Sequence, residues 1–333
     1  MPEDMHERLT KPRRDILALL CMVLVIAIPA MLTLRTVHEP PWRERPELNP
    51  SPYGYTVSLL LFLFPTIVLA YIHMQRVKPV DHRRALVWSA GVVAVAGFVL
   101  DTFFGYSFFV FKNVGATIGV RLPAWDWSAL TWVPAYLPVE EFAFYVFGSV
   151  CVITLYLWAN DEWLRDYDPD AHRARAKEVP KLVNISWASV GLWLGLVALG
   201  FVLKRLGPEP SGFPGYYLFI MTLGFLPTFL FIRAVGPFVN WRAFSFAFAL
   251  LVLVSLIWEA TLGVPYEWWN YHDGAMLGIR ITAWSSLPIE AVLLWLVIAW
   301  DCVIAFEIFR VFFHMERSVG AALLGKRHAV EIV

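Results

Sequence analysis

Charged residues are scarce in this chain: Asp, Glu, Lys and Arg make up 16% of its 333 residues, and the formal net charge is zero. Without a basic surface, no nucleic-acid partner is expected. The sequence has three cysteines, Cys21, Cys151 and Cys302. No two of them form a CxxC pair, so we expect neither a metal site nor a disulfide framework. It also lacks a GxGxxG motif, so no dinucleotide cofactor is expected.

Hydrophobic residues, in contrast, make up 59% of the chain. Apolar runs of about 20 residues recur along it, each long enough to cross the ~30 Å hydrocarbon core as a helix. The first run is too long for a signal-peptide core and has no obvious cleavage site. The sequence therefore predicts an all-α, polytopic membrane protein. Its eight spans lie near residues 16–34, 55–74, 85–109, 130–158, 182–203, 216–235, 243–264 and 284–313.

The distribution of basic residues predicts an orientation. Lys and Arg are concentrated in the tails and loops on the side of the N-terminus and are fewer on the opposite side. Positively charged loops remain in the cytoplasm. We therefore expect a multi-pass protein of the cell membrane with both termini cytoplasmic.

An internal repeat is visible. The segment 115–125 matches 274–284, LPVE at 137–140 matches LPIE at 287–290, and Asp101 with Gly105 matches Glu259 with Gly263. Each copy contains three spans, and the two copies share one orientation because four spans separate equivalent points. The expected organisation is an N-terminal segment with an extra helix (1–53), a first repeat (54–158), a linker with a connecting helix (159–203), a second repeat (204–313) and a tail (314–333).

Several carboxyl groups fall inside the predicted spans. An ionisable group in a bilayer is costly and indicates a functional site. The candidates, all expected in the outer half of the membrane, are Asp101, Glu140, Glu141, Glu259 and Glu290. Glu141 lies about 100° around the helix from Glu140, so one is expected to act as an acid and the other as a support. Pro138 and Pro288 are expected to kink their helices and open a cavity.

A structural role is the alternative for some of these residues. Asp101 or Glu259 could pair with Arg121 or Arg280 and fasten the two halves together. Asp301, which has no counterpart in the first copy, is expected to pair helices rather than to catalyse.

Aromatic residues cluster near the predicted outer ends of the spans. An interfacial belt explains most of them, yet aromatic faces close to the acids could also stabilise a cation. The candidate substrate-binding residues are Arg121, Arg280, Phe144, Tyr145, Trp125 and Trp284.

The repeated motif resembles that of a known family. Pro138-Val139-Glu140-Glu141, followed by Phe144 and Tyr145, is similar to the motif of the integral-membrane lycopene cyclases, the heterodimer-type bacterial enzymes and their fused archaeal and fungal relatives. Pro288-Ile289-Glu290 fits the second unit, where Ala291 replaces the second Glu. The resemblance covers roughly residues 54–312 and implies that two homologous three-span units form one enzyme.

The resemblance also implies a chemistry. A protonated Glu gives its proton to a terminal alkene, the neighbouring double bond attacks the resulting cation, and a base removes a proton after ring closure. Glu140 is expected to be the acid, with Glu290 or Glu141 as its partner. The substrate would be a hydrophobic polyene or isoprenoid taken from the membrane lipid, with no cofactor.

Other functions stay open at this point. Parallel repeats with acids inside the membrane also suit a proton-coupled transporter of small molecules. A hydratase would use the same site and end with water addition. The acidic segment 160–170 could serve a magnesium-dependent prenyltransferase, although a single cluster interspersed with arginines argues against this. A homo-oligomer is also left open.

Overall fold

A computed structural model describes residues 51–76, 80–164, 168–208 and 210–325. The predicted first span, near 16–34, and Cys21 lie outside the described residues. Seven described helices are long and apolar enough to cross a membrane, and they correspond to predicted spans two to eight. The all-α, polytopic fold is therefore confirmed. These spans are Gly54–Gln75, His82–Phe108, Val139–Asp161, Trp187–Leu206, Gly215–Phe238, Trp241–Gly263 and Ile289–Met315.

We number the elements in chain order. The α-helices are α1 (Gly54–Arg76), α2 (Val80–Phe108), α3 (Val139–Trp158), α4 (Pro169–Glu178), α5 (Trp187–Leu206), α6 (Gly215–Val235), α7 (Trp241–Trp258), α8 (Ile289–Met315) and α9 (Val319–Leu324). The short strands are β1 (Phe109–Val110), β2 (Arg121–Asp126), β3 (Thr131–Pro138), β4 (Asn270–Tyr271), β5 (Arg280–Ile281) and β6 (Leu287–Pro288).

Several helices begin at residues whose side chains satisfy free backbone N–H groups. The Asn240 side chain accepts hydrogen bonds from the N–H groups of Arg242 and Ala243 at the start of α7. Asp168 does the same for α4, where Pro169 occupies the first helical position. Polar caps and an N-terminal proline favour helix initiation at these points.

The predicted starts of two spans are wrong. The chain enters α3 at Val139 rather than near 130, and α8 at Ile289 rather than near 284. The preceding residues form the antiparallel pairs β2–β3 and β5–β6, because a proline cannot continue a helix toward its N-terminus without a clash. Pro138 and Pro288 are therefore N-cap residues in extended conformation, and they do not kink the helices as expected.

The two predicted repeats contain the same order of elements. In each copy, three helices (α1–α3 or α6–α8) are interrupted by a loop that contains a 3₁₀ turn, Val114–Ala116 or Asp273–Ala275. Equivalent hydrogen bonds then close the loop onto the third helix. Val139 N–H bonds to the Val120 carbonyl and Ile289 N–H to the Ile279 carbonyl, both at 3.0 Å.

The two copies join at the end of the bundle that carries the strands, which we call the hairpin end. There β1 of the first copy pairs with β4 of the second, Phe109 opposite Tyr271. Further along the bundle, α8 packs against α2, α6, α7 and α4 and is its central helix. We call the opposite end, where α4 packs on α8, the α4 end.

Candidate functional site

A cavity of about 320 Å³ lies between the two repeats, and we call it the chamber. Its walls come from α1, α2 and α3 of the first copy and from α6, α7 and α8 of the second. Most of the lining is apolar, but four carboxyl groups face it. They belong to Asp101, Glu141, Glu259 and Asp301. The described residues that line the chamber include no Lys, Arg or His.

Asp101 lies on α2, where its side chain is 4% exposed. The Tyr145 hydroxyl of α3 lies beside it, and Oδ2 of Asp101 is buried without a partner. Gly97, one turn earlier on α2, allows this approach, because a Cβ there would lie 2.3 Å from the Tyr145 ring. Asp101 therefore faces the chamber with an oxygen that no described group occupies.

Glu141 lies in the first turn of α3 and faces the chamber. Its Oε1 accepts a hydrogen bond of 2.7 Å from the Tyr55 hydroxyl of α1. Tyr55 is fully packed, and its ring lies 5.1 Å from that of Trp269 and 5.9 Å from that of Trp258. The Glu141 carboxyl is therefore held at one oxygen by the first repeat, beside aromatic rings of the second.

Glu259 is the counterpart of Asp101, and its contacts are different. It is 2% exposed and accepts a 2.5 Å hydrogen bond from the Tyr271 hydroxyl at Oε2. At Oε1 it accepts a second bond from the Trp295 indole. Burial raises the pKa of the Tyr271 phenol well above its ordinary value, so Tyr271 remains a donor. Donors at both oxygens fix the orientation of the Glu259 carboxyl group and stabilise its ionised form.

Asp301 lies about three turns along α8, and the structure corrects its expected role. It lines the chamber rather than pairing helices, and its Oδ1 is buried without a hydrogen-bond partner. Its position toward the α4 end separates it from the other three acids. A buried carboxyl oxygen without a partner makes Asp301 a candidate functional residue in a membrane-spanning helix.

Aromatic rings form a continuous wall around the hairpin end of the chamber. Phe144 of α3 lies 5.4 Å from Trp295 and 6.1 Å from Trp258, measured between ring centroids. Trp258 lies 4.9 Å from Trp269. Tyr216 and Phe219 of α6 extend the wall on the other side. Such a wall presents π faces to whatever occupies the chamber, and π faces attract cations.

Glu140 and Glu290 are not among the chamber residues, contrary to the expectation that they would meet there. Each lies in the first turn of its helix and is almost fully buried. Glu140 Oε1 accepts from the Ile118 N–H (2.8 Å) and the Thr56 hydroxyl (2.5 Å). Glu290 Oε1 accepts from the Leu277 N–H at 2.5 Å. Glu140 and Glu290 thus have the same role, because each holds the loop of its own copy against the following helix.

The two arginines do not pair with Asp101 or Glu259. Arg121 donates to the Tyr136 carbonyl at 3.3 Å, and burial lowers the pKa of its guanidinium. Arg280 donates to the Ser286 carbonyl at 2.9 Å and forms an ion pair with Asp273. Neither lines the chamber. They hold the loops at the hairpin end, since each lies opposite the proline that precedes its helix.

The predicted aromatic residues divide in the same way. Phe144 and Tyr145 line the chamber as expected. Trp125 and Trp284 do not. Trp125 packs in the β2–β3 hairpin, with its ring 5.2 Å from that of Trp132.

Sequence reasoning missed several chamber residues: Tyr55, Tyr216, Trp258, Trp269 and Trp295. Trp258 had a signal, because it directly precedes Glu259. Gly263, which the repeat matches to Gly105, was a signal for Trp269. The structure shows why glycine is needed there, because a Cβ at Gly263 would lie 2.2 Å from the Trp269 ring. Tyr55 and Tyr216 stand near the starts of spans without a distinguishing pattern.

The acidic segment 160–170 does not form an open cluster among its described residues. Asp161 is approached by the Asn160 amide and by His73, whose Nε2 lies 3.5 Å away. Asp168 caps α4. Within the described ranges, no three His, Cys, Asp or Glu side chains are grouped as a metal site would require.

The charges in the chamber decide what it can do. Four ionised carboxylates would place four negative charges in an apolar cavity with no cation in the described lining. Burying unpaired charge is so costly that such groups neutralise instead. The chamber is therefore expected to hold at least one protonated carboxyl, which can serve as a general acid.

Comparison of the chain with protein-family models, with curated proteins and with solved structures returned no match.

Proposed function

We propose that the protein is an intramembrane cyclase that closes a ring on the end group of a polyene or related isoprenoid, in an acid-initiated, redox-neutral reaction. The observation that carries the proposal is the chamber: four carboxyl groups without a cation in the described lining, surrounded by aromatic rings at membrane depth. The resemblance of 138–145 to the membrane lycopene cyclases supports the same chemistry.

Glu141 is the acid in this proposal. Its carboxyl O–H transfers a proton to the terminal alkene, so a C–H bond forms and a tertiary cation results. The next double bond donates its electron pair to the cation and forms the ring C–C bond. Loss of a proton from the ring to a carboxylate restores an alkene. Asp101, which lies close enough to Glu141 to interact electrostatically, is the carboxylate that accepts the ring proton. It then passes the proton to the Glu141 carboxylate, so no net redox change or proton uptake occurs.

Glu259 and the aromatic wall have supporting roles. The bonds from Tyr271 and Trp295 fix the Glu259 carboxylate, which stabilises positive charge as it develops. Preorganised groups of this kind lower a barrier because they need not reorient during the reaction. The rings of Phe144 and Trp258 add π faces beside the same space.

The proposal moves the acid from Glu140 to Glu141. Glu140 is bonded to Ile118 and Thr56 outside the chamber, whereas Glu141 faces it. A general acid must be within hydrogen-bond reach of the group that it protonates.

The proposed location is the cell membrane, with both termini in the cytoplasm and the hairpin end outside. The basic residues of the α4 end support this orientation, including Arg173, Arg175 and Lys177 of α4. The substrate would then meet the acids in the outer half of the bilayer.

The test is expression in cells that accumulate lycopene and lack a cyclase, followed by identification of the pigments. We expect cyclised products from the parent chain. Glu141→Gln removes the proton donor but keeps the Tyr55 contact, so turnover should fall at least ~100-fold. Glu140→Gln is the matched control, and its activity per amount of folded protein should stay close to that of the parent. An unchanged pigment in the parent strain, with the protein present in the membrane, would refute the proposal.

A proton-coupled transporter is the second candidate, and Asp301 favours it. This carboxyl faces the chamber toward the α4 end, away from the other acids, where a proton could be exchanged with the second side of the membrane. Proton-dependent uptake into proteoliposomes, without any change to an added polyene, would support transport over cyclisation.

A further inference from the structure

Helices α2 and α6 close the chamber at the hairpin end. Phe104 and Phe108 of α2 pack against Phe219 of α6, with centroid distances of 5.5 and 5.3 Å. Phe108 also lies 5.0 Å from Tyr216. These four rings form a plug between the two repeats. A long apolar molecule therefore does not enter between α2 and α6 at this level.

Below the plug, the chamber itself lies between the two helices. Both pack on α8, with Val92 of α2 and Leu226 of α6 lining the chamber from opposite sides. Val92 is nevertheless 49% exposed and Leu226 54% exposed. These residues belong to helices that are long and apolar enough to cross a membrane, where such exposed side chains would face lipid. The chamber thus reaches the lipid-facing surface along this line, which we call the α2–α6 slot.

The dimensions of the chamber limit what it can enclose. Its lining on α8 extends from Leu294 to Ala305, about 17 Å at 1.5 Å per residue. A volume of about 320 Å³ is at the low end for small-ligand pockets. A polyene as long as the ~30 Å hydrocarbon core of the bilayer does not fit inside. Only an end group fits, and the remainder of the chain must lie elsewhere.

We propose that the α2–α6 slot is the lateral entrance and tail-binding site for a long, linear hydrocarbon substrate. The end group passes between Val92 and Leu226 and moves up to Glu141 and Asp101, while the tail stays in the slot and in the surrounding lipid. The substrate class is therefore a hydrocarbon with a reactive end group and an extended tail that stays outside the chamber. This inference rests on the proposed cyclase function.

The test narrows the slot without changing the acids. Val92→Trp and Leu226→Trp place a large ring at its two rims, and Val95→Trp is the matched control. Val95 lies three residues on from Val92 in the same helix and is 64% exposed, but it does not line the chamber. Each variant is purified in detergent, returned to liposomes and supplied with either lycopene or a short acyclic terpene that carries the same end group.

The slot variants should lose at least ten-fold in turnover of lycopene, whose tail must lie between the two rims during the reaction. They should lose less with the short terpene, which passes the rims only to enter and is then enclosed whole. Val95→Trp should match the parent with both. Equal turnover of lycopene by Val92→Trp, Leu226→Trp and Val95→Trp would overturn the inference, as would an equal loss with both substrates. Absence of any cyclised product from the parent would instead refute the proposed function.

Discussion

Glu140 and Glu141 are neighbours in the chain, but their side chains have different surroundings. The Glu140 carboxyl accepts a backbone N–H from its own loop. The Glu141 carboxyl accepts the Tyr55 hydroxyl and faces the chamber. In the second copy, Glu290 keeps the loop contact and Ala291 stands where Glu141 would be. The feature that the two copies share is therefore the loop contact, whereas a chamber-facing Glu at the next position occurs only in the first copy.

We predict that Glu290→Ala destabilises the protein without removing a group from the chamber. The Leu277 N–H would lose its partner in a buried setting, which costs about 1–3 kcal/mol. Thermal unfolding in detergent, followed by tryptophan fluorescence, should show a lower midpoint. Glu178→Ala at the exposed end of α4 is the control, with an expected change within about 0.5 kcal/mol. Equal midpoints for the two variants would contradict a structural role for Glu290.

At the scale of elements, the two repeated loops depend on a glycine in the same conformation. Gly119 has φ +83° and Gly278 has φ +88°, a region that side chains disfavour. Nothing lies within 4 Å of a Cβ built at Gly119. The backbone conformation alone therefore requires glycine there.

We predict that Gly119→Ala lowers the free energy of unfolding by roughly 1–2 kcal/mol. Gly91→Ala is a matched control, because Gly91 lies inside α2 and also has open space around its Cβ position. It should stabilise the protein by roughly 0.5–1 kcal/mol, since alanine favours a helix. Both values can be measured by thermal unfolding in detergent. A stabilising Gly119→Ala would show that the loop does not hold this conformation.

A second glycine in α2 connects the helix to the chamber. Gly97→Ala would place a methyl group 2.3 Å from the Tyr145 ring, which must then move away from Asp101. We expect turnover to fall by about 10- to 100-fold, because small displacements of reacting groups are costly. The assay is product formation per folded protein, with Gly91→Ala as the control. Full activity would mean that the position of Tyr145 is not important to the reaction.

At the scale of the whole molecule, a buried cluster of polar side chains at the α4 end holds several elements together. Glu307 of α8 accepts hydrogen bonds from Tyr156 (2.6 Å) and from Arg310 (2.6 and 2.9 Å). His172 of α4 lies 2.9 Å from His314 of α8, between ring nitrogens, and 3.8 Å from Glu307. This cluster of side chains holds α4 against α3 of the first repeat and α8 of the second.

We predict that the free energy of unfolding decreases at acidic pH because of His172. Burial lowers its pKa, and nearby Arg310 and Arg175 act in the same direction, while Glu307 opposes them. Above about pH 6.5, the ordinary value, the imidazole is neutral in both folded and unfolded chains. As the pH falls below that value, the unfolded chain binds the proton first, so the free energy of unfolding decreases until the folded-state pKa is reached.

The measurement is the unfolding midpoint in detergent at pH 7.5 and at pH 5.5. His172→Gln should reduce the fall between the two, because the variant has no proton to bind at that position. His272→Gln changes a histidine on the exposed surface of the hairpin end and should leave the pH dependence as in the parent. If the midpoint of His172→Gln falls between pH 7.5 and pH 5.5 as much as that of the parent, this histidine is not the cause of the pH dependence.

The sequence by itself determined that the described chain contains seven helices of membrane-spanning length, and it revealed the internal repeat. These follow from local properties: apolar length sets where a helix can cross the membrane, and the matched segments around Gly119 and Gly278 fix which parts correspond. It also placed Asp101, Glu141, Glu259, Phe144 and Tyr145 among the candidates that the structure brings to one chamber.

Only the tertiary structure decided which acid faces that chamber. One residue along a helix turns a side chain by about 100°, so the choice between Glu140 and Glu141 depends on where α3 begins and how it is packed. The start at Val139 is set by the β2–β3 pair, and the contact that holds Glu141 comes from Tyr55 of α1. The β2–β3 pair and Tyr55 reach this helix through strand pairing and helix packing. The spacing of residues around the two acids therefore did not identify either of them.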